Sequence, residues 1–115
     1  MTFKIKTEQT FTWPVKAKVP EDGRYKSVSF EATFNILSND RMNDLVRGDD
    51  DPVGGSLRIL REALVSFSGI DVEDDRGELI TDDEDRNAAI LRYPFFVEAL
   101  SDAFLRGIGG DRTKN

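Results

Sequence analysis

Phe11-Thr12-Trp13-Pro14-Val15-Lys16-Ala17-Lys18-Val19 leads through Pro20-Glu21-Asp22-Gly23 to Val28-Ser29-Phe30-Glu31-Ala32-Thr33-Phe34-Asn35-Ile36, and the architecture is most plainly written in these two runs. In the first, apolar residues take the odd numbers, a series already begun at Phe3 and Ile5. In the second they take the even numbers. Successive side chains of a strand point to opposite faces, so each run places its apolar residues on one face. Pro14 has no N–H to give to a ladder, which predicts an edge strand or a bulge there. In Pro20-Glu21-Asp22-Gly23, proline presets φ and glycine supplies the positive φ of a turn. The reading is an antiparallel hairpin with one wet face.

A lone hairpin is barely stable in water, so its apolar face needs a cover. The rest of the chain reads as helices. Ser38 is a predicted N-cap for a short helix carrying Met42, Leu45 and Val46, and Gly48-Asp49-Asp50-Asp51-Pro52 interrupts it. Leu57, Leu60, Ala63, Leu64 and Phe67 recur at helical spacing and predict a second helix, with Ser56 as its N-cap and Gly69 at its C-terminal cap. Asp75-Arg76-Gly77-Glu78 reads as a turn between very short strands at Val72 and Leu79-Ile80. Thr81 and Glu84 have capping-box spacing ahead of a third helix through Ala88 to Leu91. Pro94 opens a fourth helix with Phe96, Ala99, Leu100, Ala103 and Phe104 on one face, ended by Gly107, Gly109 and Gly110. The expected class is α+β: an N-terminal hairpin or small sheet packed against about four helices. Residues 1–110 read as one domain and 111–115 as a flexible tail.

The 115 residues contain no cysteine and no histidine. Disulfides, thiolate metal sites and the commonest general base are therefore excluded. The net charge is −6, from 22 acidic and 16 basic residues. That balance argues against nucleic acid, since only Lys16, Lys18, Arg24 and Lys26 gather near one another. No apolar run is long enough to span a bilayer, and Lys4 and Lys6 are not followed by the apolar core of a signal peptide. A cytosolic protein is expected.

Asp71, Glu73 and Asp75 match the first ligands of a calcium loop, but Arg76 stands where the invariant glycine should and Asp82 where glutamate should. Asp49-Asp50-Asp51 reads as a loop, and Gly54-Gly55-Ser56 lacks the lysine of a phosphate-binding loop. No Ser-x-x-Lys arrangement is present on a helix. No metal, cofactor or enzymatic activity is expected. The remaining signal is aromatic. Phe95 and Phe96 are adjacent and so point about 100° apart on a helix. With Tyr93, Phe104 and Ile108 they are the candidate protein-binding residues, as apolar surface beyond the needs of a core marks partner sites.

The order of these pieces resembles a family. A Trp13-Pro14-Val15 hairpin runs into Asp22-Gly23 and Phe30-Glu31-Ala32-Thr33-Phe34. A helix with Phe67-Ser68-Gly69-Ile70, an acidic turn from Asp74 to Glu78, Tyr93-Pro94, Val97-Glu98-Ala99-Leu100 and the Gly107-to-Gly110 end follow. Over roughly residues 10 to 110 the chain resembles the tail assembly chaperones of long-tailed bacteriophages and prophages. The resemblance implies a non-structural protein of the host cytoplasm, absent from the mature virion. It implies binding to the tape-measure protein, keeping it soluble while the tail tube assembles, with the major tail-tube protein and self-association as further contacts. It carries no catalytic residues. Two other readings compete: a tail-completion or tail-terminator component of the virion, and a small acidic regulator binding a host target.

Overall fold

A computed structural model of the chain describes residues 2–5, 9–47 and 52–110, with 52 and 53 described by their backbone alone. The elements run β1 (Thr10–Glu21), β2 (Arg24–Asn35), α1 (Asn39–Val46), α2 (Pro52–Ala63), β3 (Leu64–Ser68), α3 (Asp83–Ile90) and α4 (Pro94–Gly109). The fold of the described residues is α+β, with an antiparallel sheet in the order β1-β2-β3 and four helices. The predicted tail, 111–115, and most of the predicted break, 48–51, lie outside the described residues.

The hairpin forms in the register that the alternation demands. Val15 pairs with Phe30, Ala17 with Val28 and Trp13 with Ala32, so both apolar series share one face. On the wet face Thr12 and Thr33 join through their hydroxyls at 2.9 Å. β1 is an edge strand, which accommodates Pro14. The turn is tighter than expected. Pro20 and Glu21 pair with Tyr25 and Arg24, leaving Asp22-Gly23 alone as the loop, with Gly23 at φ 71°. Such two-residue loops match the twist of the strands they join. Ile36 falls just beyond β2 and is 40% exposed, not inward.

α4 covers the apolar face. Phe104 is 1% exposed and lies with its ring centroid 6.0 Å from Phe11 and 5.4 Å from Phe34. Phe96 meets Phe30 edge-on at 6.0 Å. The helix comes close because Gly107 faces β1: a Cβ there would stand 2.5 Å from the Phe11 ring. Gly107 therefore belongs to the helix and does not end it; Gly110, at φ 83°, is the C-cap. Leu60, Ala63, Leu100 and Phe34 close the core, and no polar side chain is fully buried among the described residues.

Residues 52–92 differ from expectation in three places. The second helix starts at Pro52, so Ser56 is inside it and is not its N-cap. It stops at Ala63. Leu64 to Ser68 is a strand paired antiparallel to β2, and Gly69 follows that strand instead of capping a helix. The reason lies in parity. Leu64 pairs with Phe34 and Ser66 with Thr33, and Phe67 pairs with Ala32, with a bulge at Val65. Without a bulge, residues three apart face opposite sides of a sheet. The extra residue lets Leu64 and Phe67 both turn inward, and an interval of three then looks helical. Finally, the cap of α3 is Asp82, whose side chain accepts from Asp85 N at 3.1 Å, not Thr81. The acidic turn is as expected, closed by a single bridge between Glu73 and Leu79.

Candidate functional site

The acidic stretch resolves into local structural work. Asp74 Oδ1 accepts from the backbone of Arg76 at 2.8 Å and of Glu78 at 3.0 Å, holding the turn. Asp82 caps α3, and Asp83, Glu84 and Asp85 fill its first turn, where negative charge complements the helix dipole. Among the described residues no group of three or more carboxylates is placed to hold a metal ion.

The five aromatic and apolar candidates do not form one patch. Tyr93 is the N-cap of α4 and 49% exposed. It stacks on Phe95 at 5.6 Å, and Phe95 lies 4.8 Å from Phe96, which packs inward on Phe30. These three make one small aromatic cluster. Phe104 is interior and cannot belong to a surface. Ile108 is at the other end of α4, about 22 Å along the axis from Tyr93 at 1.5 Å per residue. It packs half-buried against the core.

A larger feature lies next to the cluster in the chain. α2, β3 and α3 enclose an open groove of about 790 Å³. Its apolar lining is Leu57, Leu60, Leu64, Val65, Ala88 and Leu91, and its polar lining is Arg61, Glu84, Asn87 and Arg92. Leu60 and Leu64 are the buried floor; Val65 and Ala88 are exposed at the wall. The wall at Leu91-Arg92 leads directly into Tyr93. For scale, the crevice between β1 and α4 beside Trp13 and Asp102 holds about 230 Å³.

The groove keeps its shape because α3 is tied to the outer edge of β3 by side chains. Asn87 Nδ2 donates to Val65 O at 2.9 Å and Leu64 O at 3.3 Å. Arg86 Nη2 donates to Phe67 O at 3.0 Å and Ile70 O at 3.2 Å, with its guanidinium 4.4 Å above the Phe67 ring. An open strand edge invites pairing with another chain, and these donors occupy it. Presenting both amide hydrogens leaves Asn87 Oδ1 buried without a donor, which costs stability. On the far side of α2, Arg41 grips Glu62 with two bonds, Nε to Oε2 at 2.6 Å and Nη2 to Oε1. The hydrogen bond and charge of Arg41 hold the Glu62 carboxyl below its ordinary 4.5. Asn35 Nδ2 reaches Glu62 O at 3.1 Å, so α2 is fixed to both α1 and β2.

Sequence reasoning named the aromatic cluster and missed the groove. The available signal was Ala88 and Leu91, an apolar pair at i,i+3 on a different side of α3 from the buried Ile90. Among the described residues no helix is long and apolar enough to cross a membrane. No protein-family model, curated protein or solved structure matches the chain.

Proposed function

We propose that the chain is a tail assembly chaperone of the kind its sequence resembles. It binds apolar helical segments of a tape-measure protein in the host cytoplasm, keeps them soluble until tail-tube protein surrounds them, and leaves before the virion is complete. The observation that carries this reading is the open groove between α2, β3 and α3, apolar at its floor and charged at its walls. An amphipathic helix laid into an apolar groove is a general mode of peptide recognition, anchored by residues at i, i+3, i+4 and i+7. The Tyr93–Phe95–Phe96 cluster extends the apolar surface beyond the wall. The acidic-regulator reading is weakened because Asp74 and the acids from Asp82 to Asp85 already serve a turn and a helix start.

Co-expression with the tape-measure protein encoded in the same genome tests the proposal. The tape measure should co-purify with this chain and lose solubility without it. Ala88→Glu, which puts a charge on the exposed groove wall, should abolish retention while leaving the fold intact by circular dichroism. A tape measure equally soluble alone, with nothing retained, would sink the reading. Presence of the chain in purified particles would favour a tail-completion component instead.

A further inference from the structure

The groove has a direction. Arg86 bonds to Phe67 and Ile70, while the next residue, Asn87, bonds to Val65 and Leu64. Advancing along α3 therefore means going backward along β3. Arg61, one helical turn before Leu64, belongs to the end of the groove that the C-terminus of α3 approaches. Arg92, just past that terminus, stands there too. Glu84 is in the first turn of α3, at the opposite end, about 9 Å from Ile90 at the helix's C-terminus at 1.5 Å per residue.

Apart from Arg76 on the acidic turn, these two arginines differ from the others described. Arg24, Arg41, Arg47 and Arg106 are paired with Glu21, Glu62, Asp44 and Asp102. Arg58 and Arg86 donate to backbone carbonyls. Among the described residues, Arg61 and Arg92 have no ion pair and no hydrogen bond from the side chain. In a chain of net charge −6, one end of an apolar groove thus carries two uncommitted cations, and the other end a carboxylate.

We infer that the groove takes an amphipathic helix with carboxylates in its N-terminal turn and a basic side chain in its C-terminal turn, laid antiparallel to α3. Its acids meet Arg61 and Arg92, its base meets Glu84, and its apolar stripe covers Val65, Ala88 and Leu91. This arrangement also suits the dipoles. Acids at the start and bases at the end stabilise the incoming helix itself, and antiparallel neighbouring helices align their dipoles favourably. The inference rests on the chaperone reading for the identity of the partner and adds the chemistry and orientation of the bound segment.

The test uses the full chain and three fluorescent helical peptides with one leucine stripe: glutamate first and lysine last, the reverse, and glutamine at both ends. Fluorescence anisotropy at low salt should rank the glutamate-first peptide about fivefold tighter than its reverse, since exposed pairs are individually weak. Raising the salt should shrink the difference. The Arg61→Glu/Arg92→Glu double variant should invert the order, and the milder Arg61→Gln/Arg92→Gln variant should erase it. Equal binding of all three peptides, or an order that the variants leave untouched, would overturn the inference. If no peptide order appears but the tape measure still co-purifies, the chaperone reading stands and this inference falls. If the chain self-associates and Ala88→Glu dissociates it, the occupant is a second copy and the inference falls as well.

Discussion

The packing of α4 on the hairpin and the fastening of α3 over β3 are built on opposite principles. In the first, large apolar side chains do the holding: Phe11, Phe34 and Phe104 form a cluster of three mutually packed rings, and α4 approaches through Gly107. In the second, polar side chains reach backbone carbonyls, and only Ile90 of α3 is buried. The first half is a core, whose shape follows from excluding water. The second is a short polar helix fastened over a strand edge, and it leaves an apolar groove open. A domain that must bind another apolar surface needs both kinds, since a fully closed core offers nothing to a partner.

The contrast sets the expected size of mutational effects. Phe104→Ala removes the buried ring packed on both Phe11 and Phe34 and should cost about 3–5 kcal/mol in urea unfolding. Equal tolerance of that change and of Leu91→Ala on the groove wall would erase the distinction between the halves. Gly107→Ala puts a Cβ into the Phe11 ring, an overpacking cost of about 1–3 kcal/mol that outweighs the helix-propensity gain. Gly109→Ala meets nothing within 4 Å and should stabilise, by up to about 1 kcal/mol. A thermal melt of the pair should therefore move in opposite directions. Asn87→Ala strips two carbonyls of their donor but also removes a buried orphan oxygen, so its net cost should be about 1 kcal/mol. A loss as large as that of Phe104→Ala would mean that α3 belongs to the core after all.

The smallest effect concerns the Arg41–Glu62 clasp on α2. The Glu62 carboxyl titrates below its ordinary 4.5 in the folded chain. A depressed acid contributes stability that is present above its unfolded value and lost as pH falls through the folded value. Glu62→Gln should therefore flatten part of the acid limb of a stability-versus-pH curve and leave the curve near pH 7 only slightly lower. Identical acid limbs for both proteins would show that the clasp contributes nothing measurable.

The hairpin was legible because the alternation of Phe11 to Val19 and of Val28 to Phe34 agrees with its own pairing. α4 was legible because Pro94 fixes its start and its apolar spacing matches the helical period along its length. α1 was legible from Ser38, whose hydroxyl accepts from Arg41 N at 3.2 Å. Of the candidates, Tyr93, Phe95 and Phe96 could be grouped from their adjacency at the start of α4, where they form one cluster with Phe96 turned inward on Phe30. Phe104 was not separable from them, because burial depends on what lies opposite, and Phe11 and Phe34 are far away in the chain.

Residues 64–68 mark the boundary between the two kinds of information. Leu57, Leu60, Ala63, Leu64 and Phe67 fit a helix, and nothing local contradicts it; the alternation in Val65-Ser66-Phe67-Ser68 is too short to outvote them. Pairing with β2 settles the matter, since Glu31 to Phe34 offer an open edge whose hydrogen bonds must be satisfied, and the bulge at Val65 reconciles that pairing with inward Leu64 and Phe67. The groove inherits this uncertainty, because its lining comes from α2, β3 and α3 together and exists only if β3 is a strand. Local periodicity thus established the hairpin, the outer helices and the α+β class. The third strand and the groove followed from long-range pairing, because a bulged strand's inward spacing of three cannot be told from a helix until its neighbour is in place.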